Sequence, residues 1–245
     1  MPSGEEIDSI IRNLYSDEKA HKLRREFSER KHTIGIAGNI GVGKSTLAEI
    51  LSRTIECPVY KELDEPNPYL EDFYKNPKKW AYRSQMFFLE EKARKMKQVQ
   101  ESGKSAIIDR TIYEDIYIFA RAQLELGNMT REEWKLYEER KDELLKSIEY
   151  PEMIIYLRGN AQPTLLERIN MRNRPEEIKG TSLDQEYLYF LGGLYEVWIH
   201  SEELKRNTKV RIIETDNFRQ IAEPAFTISQ VAERALEILC SDFNC

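Results

Sequence analysis

A chain of 245 residues, 40% hydrophobic and 33% charged, has enough material for one sizeable core and the balance of a globular protein. Its net charge of −6 speaks against a nucleic-acid partner, which calls for a basic face, and no apolar run approaches the ~18 residues of a membrane span. Cys57, Cys240 and Cys245 are few and far apart with no metal-ligand spacing, and Met1 to Tyr15 carries Glu5, Glu6 and Asp8 with no apolar signal core, so the expected location is the cytoplasm.

In chain order, Ile7, Ile10, Ile11 and Leu14, then Leu23 and Phe27, recur at helical spacing. Residues 1–31 therefore read as a polar helical extension. It is expected to pack on its own domain rather than serve as a partner-binding arm, because amphipathic helices bury their apolar stripe locally. His32–Ala37 reads as a short apolar strand and Thr46–Leu51 as the first turns of a helix. Between them Gly38, Asn39, Ile40, Gly41, Val42, Gly43, Lys44, Ser45 and Thr46 carry a full match to G-x-x-x-x-G-K-[ST]. Strand, glycine loop and helix N-terminus make a phosphate cradle. The glycines let backbone N–H groups turn inward, Lys44 reaches terminal phosphates, and the Ser45 hydroxyl can ligate Mg²⁺.

Pro58–Leu63 reads as a second strand that brings Glu62 to its C-terminal end, where an open parallel sheet forms its ligand crevice. Asp64 and Glu65 follow closely, so the choice among these acids stays open. Lys79–Val99 reads as a long helix with Trp80, Phe87, Phe88, Ala93 and Met96 as buried positions. Gln85 lies among them and could make a two-pronged hydrogen bond to a base edge. Ser105–Arg110 reads as a buried strand delivering Asp109 and Arg110 at its end. There the acid can hold a metal-bound water and the guanidinium can meet developing phosphoryl charge.

Asp115 and Phe119 fall on one face of the next helix. Thr130 and Glu133 have the spacing of a capping box. Met153–Leu157 is the fourth strand. Arg168, Arg172 and Arg174 follow it, with Glu176 and Glu177 behind. Like charges four apart on a helix repel unless an anion lies between them, which predicts a phosphate-clamping lid. Asp184 is expected to cap an aromatic helix reaching about Lys205. Val210–Glu214 reads as the fifth strand, and Phe226–Leu239 as the closing helix. This alternation predicts an α/β fold of P-loop kinase type: a five-stranded parallel sheet flanked by helices, with an Arg-rich lid, spanning residues 32–245.

The ordered series resembles the deoxynucleoside kinase family. It comprises Gly38–Thr46, Glu62, Tyr74 upstream of Trp80, Gln85, Asp109-Arg110, Asp115 with Phe119, and the Arg168–Glu177 cluster. The similarity runs from about Thr33 to the C-terminal helix. Asn67-Pro68-Tyr69-Leu70 followed by Phe73-Tyr74-Lys75 looks most like the bacterial-type deoxyadenosine and deoxyguanosine kinases.

That resemblance implies a phosphotransferase using ATP and Mg²⁺ on a deoxynucleoside, preferably a purine one, and a homodimer. It implies Glu62 as general base for the 5′-hydroxyl, Arg110 steadying that hydroxyl and the phosphoryl group, and Asp109 and Ser45 organising Mg²⁺. Tyr74 and Glu177 would bind the sugar 3′-hydroxyl. Gln85 and Asp115 would read the base, with Phe119 stacked on it, and Arg168, Arg172 and Arg174 would close over ATP. The family usually has Pro after the strand-end Glu, where Leu63 stands here. The register of Asn67–Leu70 favours Glu62 as the base over Glu65. Lys92 stands where the family typically carries an Arg that partners the acid at Asp115.

Two other readings share parts of the pattern. A nucleoside monophosphate kinase of thymidylate-kinase type would need extra acceptor-site cations, and Glu62 would repel its substrate. A non-catalytic P-loop scaffold would be expected to lack catalytic groups, yet Lys44, Ser45, Glu62 and Arg110 are all present.

Overall fold

The computed structural model describes residues 2–62, 66–159, 165, 169, 185–215 and 227–245. Its strands are β1 (Thr33–Gly38), β2 (Val59–Tyr60), β3 (Ala106–Asp109), β4 (Met153–Arg158) and β5 (Lys209–Glu214), in the order β2-β3-β1-β4-β5. Every pairing is parallel. Ile34 and Ile36 of β1, Ile107 of β3 and Ile154, Ile155 and Leu157 of β4 are buried, as expected for strands covered on both faces. The chain winds to one side of β1 first and to the other side afterwards, so a crevice opens beyond the C-terminal end of the central strand.

The helices are α1 (Gly4–Tyr15), α2 (Glu18–Glu29), α3 (Lys44–Ile55), α4 (Leu70–Lys75) and α5 (Pro77–Ser102). Next comes α6, which starts as Ile112–Glu114, passes through a π-helical stretch Asp115–Ala120 and ends as Arg121–Glu125. Then follow α7 (Arg131–Leu145), α8 (Gln185–Ile199), α9 (Glu202–Asn207) and α10 (Ile228–Asp242). The box pattern at Thr130 is realised: its hydroxyl accepts from Glu133 N at 3.1 Å, and Thr130 N donates to the Glu133 carboxylate at 2.8 Å.

Residues 4–29 form two helices because the Asp17 side chain caps the second, accepting from Lys19 N at 2.7 Å. Their apolar faces bury Ile10, Ile11, Leu14, Ala20, Leu23 and Phe27. α1 and α2 pack on α3, and α2 also packs on α10. His32 joins this layer to the sheet. Its ring lies 3.1 Å from Glu26 Oε1 and 2.8 Å from Glu152 Oε2, tilted against Phe27 and Phe243.

Several elements differ from expectation. β2 is far shorter than Pro58–Leu63, because it is an edge strand paired only through Val59 with Ile107 and Tyr60 with Ile108. The long helix begins earlier, at Pro77, whose ring suits a first helical position. Trp80, Phe87 and Phe88 on it are half-buried rather than core. The helix expected to reach Lys205 stops at Ile199, and the Ser201 side chain, accepting from Leu204 N at 3.3 Å, starts α9. α10 begins at Ile228 behind a Thr227–Gln230 capping box and runs to Asp242. Asp184 and Phe226 lie outside the described residues.

Candidate active site

The loop from Gly38 to Gly43 leaves β1 and enters α3. Gly38 has φ 147°, and a Cβ there would lie 2.7 Å from Leu157 O, so only glycine lets the loop pass so near β4. A Cβ on Gly41 would meet Leu165 O at 3.0 Å and Ile169 Cγ1 at 3.1 Å. Leu165 and Ile169 therefore pack directly on the loop. The Asn39 side chain ties the loop to α8, donating to Leu188 O at 2.8 Å and accepting from Ile40 N at 2.8 Å. Lys44 is buried and donates to Asn39 O at 2.8 Å. Burial, followed by the nearby Arg110 charge, pulls its ammonium down to about 7. An anion brought into the loop reverses both effects.

Arg110 follows β3 in a left-handed conformation with φ 65°, unusual for a residue with a side chain. The turn points its guanidinium back across the sheet end. Nε lies 2.6 Å from Glu62 Oε1, Nη1 lies 3.1 Å from the Tyr195 hydroxyl, and Cζ sits 4.4 Å from the Phe119 ring centroid. The expected acid–arginine pair at the strand ends is thus present, with Glu62 partly exposed and Arg110 buried.

Beneath it lies a network that sequence reasoning missed. Glu114 is fully buried and accepts from Gly38 N at 3.2 Å, Thr111 N at 3.0 Å and the Tyr195 hydroxyl at 2.8 Å. It also stands 3.9 Å from Arg110 Nη1. The Tyr195 hydroxyl lies 2.8 Å from Gly38 O as well. A phenol has one proton, so its two donor bonds alternate unless Glu114 is itself protonated, and burial does raise that carboxyl. Thr111 and Glu114 have the spacing of a capping box that was not singled out in the sequence; the bond from Thr111 N to Glu114 is present, while Thr111 Oγ1 has no hydrogen-bond partner. Nothing local announced the bond to Gly38.

On the other side of the cleft, α5 and α6 pack together. Gln85 and Asp115 are buried, and Gln85 Oε1 and Asp115 Oδ2 have no hydrogen-bond partner. Buried acceptors without donors are costly, which makes this wall a candidate for meeting a polar ligand. Asp115 and Phe119 stand within the π-helical stretch, a form that recurs at functional sites. Tyr74 is buried on α4, its ring 5.2 Å from that of Phe73. Arg168, Arg172, Arg174, Glu176 and Glu177 lie outside the described residues, as do Leu63, Asp64 and Glu65.

Whether the residues fit Mg²⁺ can be judged at Asp109. Its Oδ1 is buried and unpartnered at the end of β3, and Ser45 is exposed at the start of α3. A carboxylate and a hydroxyl are hard oxygen donors, which suits that ion. No cluster of three or more His, Cys, Asp or Glu able to hold a metal occurs among the described residues. Mg²⁺ sites that share the cation with nucleotide phosphates need no such cluster.

Burial raises the Asp115 carboxyl to about 7, against the lowering effects of Lys92 and Arg110, while Glu62 and Glu114 push it further up. The folded chain then keeps a proton that the unfolded chain releases near pH ~4, so this group's contribution to stability falls as pH rises from ~4 to about 7. Asp115→Asn is expected to gain stability relative to the parent at pH 8 and not at pH 4. Urea melts at both pH values test this, and an equal difference at both would refute it.

With this geometry established, known proteins supply the context. The deoxynucleoside kinase family model matches residues 34–237. The deoxyguanosine kinase of Bacillus subtilis (strain 168) is 38% identical over 170 residues, covering 68% of this chain and 77% of its own length. The deoxyadenosine/deoxycytidine kinase of the same organism is 32% identical over 196 residues, covering 79% and 88%. In structure, the deoxyadenosine kinase of M. mycoides with bound dATP superposes with a TM-score of 0.67 at 24% identity, covering 87% of this chain and 100% of that one. The same enzyme with its products dCMP and dCDP gives 0.69 at 25% identity, covering 86% and 98%. A phosphate loop facing an acid–arginine pair, matched along this length to such relatives, has one reading: the chain belongs to the deoxynucleoside kinase family, phosphotransferases that phosphorylate deoxynucleosides.

Proposed function

We propose that the chain moves the γ-phosphoryl group of ATP to the 5′-hydroxyl of a purine deoxynucleoside, deoxyadenosine or deoxyguanosine. The observation that carries the nucleoside as acceptor is the pair of buried, unpartnered oxygens Gln85 Oε1 and Asp115 Oδ2 on facing helices. They suit the ring or exocyclic N–H donors of a nucleobase, and the purine preference rests on the relatives. The names of the two Bacillus subtilis relatives support a purine, since one is a deoxyguanosine kinase and the other a deoxyadenosine/deoxycytidine kinase, with deoxyadenosine named beside deoxycytidine.

In this reading Gly38 to Thr46 cradle the donor phosphates. Lys44 leaves Asn39 O to follow them, and Arg168, Arg172 and Arg174 close over them from the segment whose Leu165 and Ile169 rest on Gly41. Glu62 takes the proton from the 5′-hydroxyl while Arg110 holds that hydroxyl and the migrating group. Tyr74 and Glu177 grip the sugar 3′-hydroxyl, and Phe119 stacks on the base. Ser45 and Asp109 would hold Mg²⁺, which, bound with the nucleotide, neutralises phosphate charge. We place the enzyme in the cytoplasm as a homodimer. Support for the dimer comes from half-buried Phe87 and Phe88 on α5 and from Leu136, 51% exposed on the neighbouring α7. Support for the location comes from three unpaired cysteines.

The test is a turnover panel with Mg²⁺-ATP and deoxyadenosine, deoxyguanosine, deoxycytidine, thymidine and their monophosphates. Deoxyadenosine or deoxyguanosine should have the highest kcat/KM. A clear preference for deoxycytidine or thymidine would overturn the base assignment, and turnover of monophosphates alone would overturn the acceptor.

A further inference from the structure

Lys92 lies in the middle of α5 and is 2% exposed. Its ammonium makes no ion pair with Asp115. It donates instead to Asp109 O at 3.1 Å and Arg110 O at 2.7 Å. In an extended strand, consecutive carbonyls point to opposite sides, so one cation cannot bond both. The left-handed Arg110 is what brings the two oxygens to the same side. A conformation of that kind is costly and persists only where its surroundings hold it. Lys92 is the side chain that holds the two peptide units flanking Arg110.

The next turn of the same helix repeats the device. Lys95, three residues on and 4% exposed, donates to Lys61 O, the carbonyl just before Glu62. One face of α5 thus carries two buried cations, each gripping main chain beside one member of the Glu62–Arg110 pair.

We propose that Lys92 is a positioning residue: it fixes the left-handed turn at Arg110, and through it the placement of the guanidinium against Glu62, and it does not read the base. The proposal rests on the roles given above to Glu62 and Arg110. Misplacement of a reacting group by ~1 Å is enough to cost on the order of 10²-fold in rate. The contribution should therefore appear in kcat and be equal for every nucleoside.

Three variants, Lys92→Met, Lys92→Arg and Glu62→Gln, are compared with the double variant Lys92→Met/Glu62→Gln. Lys92→Met removes both bonds at similar length. It should lower kcat by about 10- to 100-fold, leave the nucleoside KM within about 3-fold, and keep the ratios of kcat/KM among deoxyadenosine, deoxyguanosine and deoxycytidine unchanged. Lys92→Arg, which can still donate to two carbonyls, should recover most of the rate. Because Lys92 acts through the pair, the double variant should be little slower than Glu62→Gln alone.

A changed nucleoside ratio with kcat retained would make Lys92 a base reader and overturn the proposal. Parent-like kinetics in Lys92→Met, confirmed folded by circular dichroism, would do the same. If Lys92→Met does not fold, Lys92→Arg and Lys92→Gln carry the test. Lys92→Gln keeps one donor group, so its rate should fall below that of Lys92→Arg at constant nucleoside ratios, and a rate equal to or above that of Lys92→Arg counts against the proposal. Full activity in Glu62→Gln would instead remove the catalytic reading on which this rests.

Discussion

Glu62→Gln is expected to lose kcat on the order of 10²-fold or more, with the nucleoside KM little changed. The substitution keeps the length of the side chain and puts a carbonyl oxygen where the carboxylate oxygen now lies 2.6 Å from Arg110 Nε. What it removes is the capacity to take a proton. The geometry of the pair survives and the chemistry does not, so the loss falls on kcat. Steady-state rates with deoxyadenosine at saturating Mg²⁺-ATP measure it. Glu65→Gln is the control, because Glu65 also stands between the second strand and Asn67-Pro68. Were Glu65→Gln the more damaging change, the base would be reassigned to it.

Glu114→Ala is expected to destabilise the fold by roughly 3–5 kcal/mol, the range for removing one partner of a buried charged pair. The carboxylate is fully buried and serves Gly38 N, Thr111 N, the Tyr195 hydroxyl and the Arg110 charge. Alanine leaves two backbone donors and a guanidinium short of an acceptor in a place that water does not reach. Glu114→Gln retains an acceptor oxygen and should cost clearly less. Urea denaturation of both variants separates the charge from the hydrogen bonds, and a Glu114→Ala protein within ~0.5 kcal/mol of the parent would show that the network is not needed.

Much of this architecture was legible in the residues. The glycine loop, the apolar runs that became β1, β3 and β4, and Asp109-Arg110 at a strand end are all local patterns, and each sits where parallel-sheet logic puts it. The features that escaped depend on distance. Glu114 joins Gly38 across 76 residues of chain, and Tyr195 does so across 157, so nothing in their local surroundings pointed to either bond. The π-helical stretch at Asp115–Ala120 was hidden for a different reason: one extra residue per turn hardly alters the pattern of apolar side chains. Trp80, Phe87 and Phe88 misled because size and hydrophobicity do not say which face of a long helix meets the sheet.

The family match begins at residue 34 and ends at 237. Outside those limits α1 and α2 sink Leu14, Ala20, Leu23 and Phe27, and the end of α10 and the residue after it sink Leu239 and Phe243, into the same core that carries the sheet. His32 sits at the join, between Glu26 and Glu152 and against Phe27 and Phe243. The stretch that matches the family model is therefore shorter than the stretch that packs around one core. The segments at each end cover apolar surface that the matched part would otherwise leave open to water.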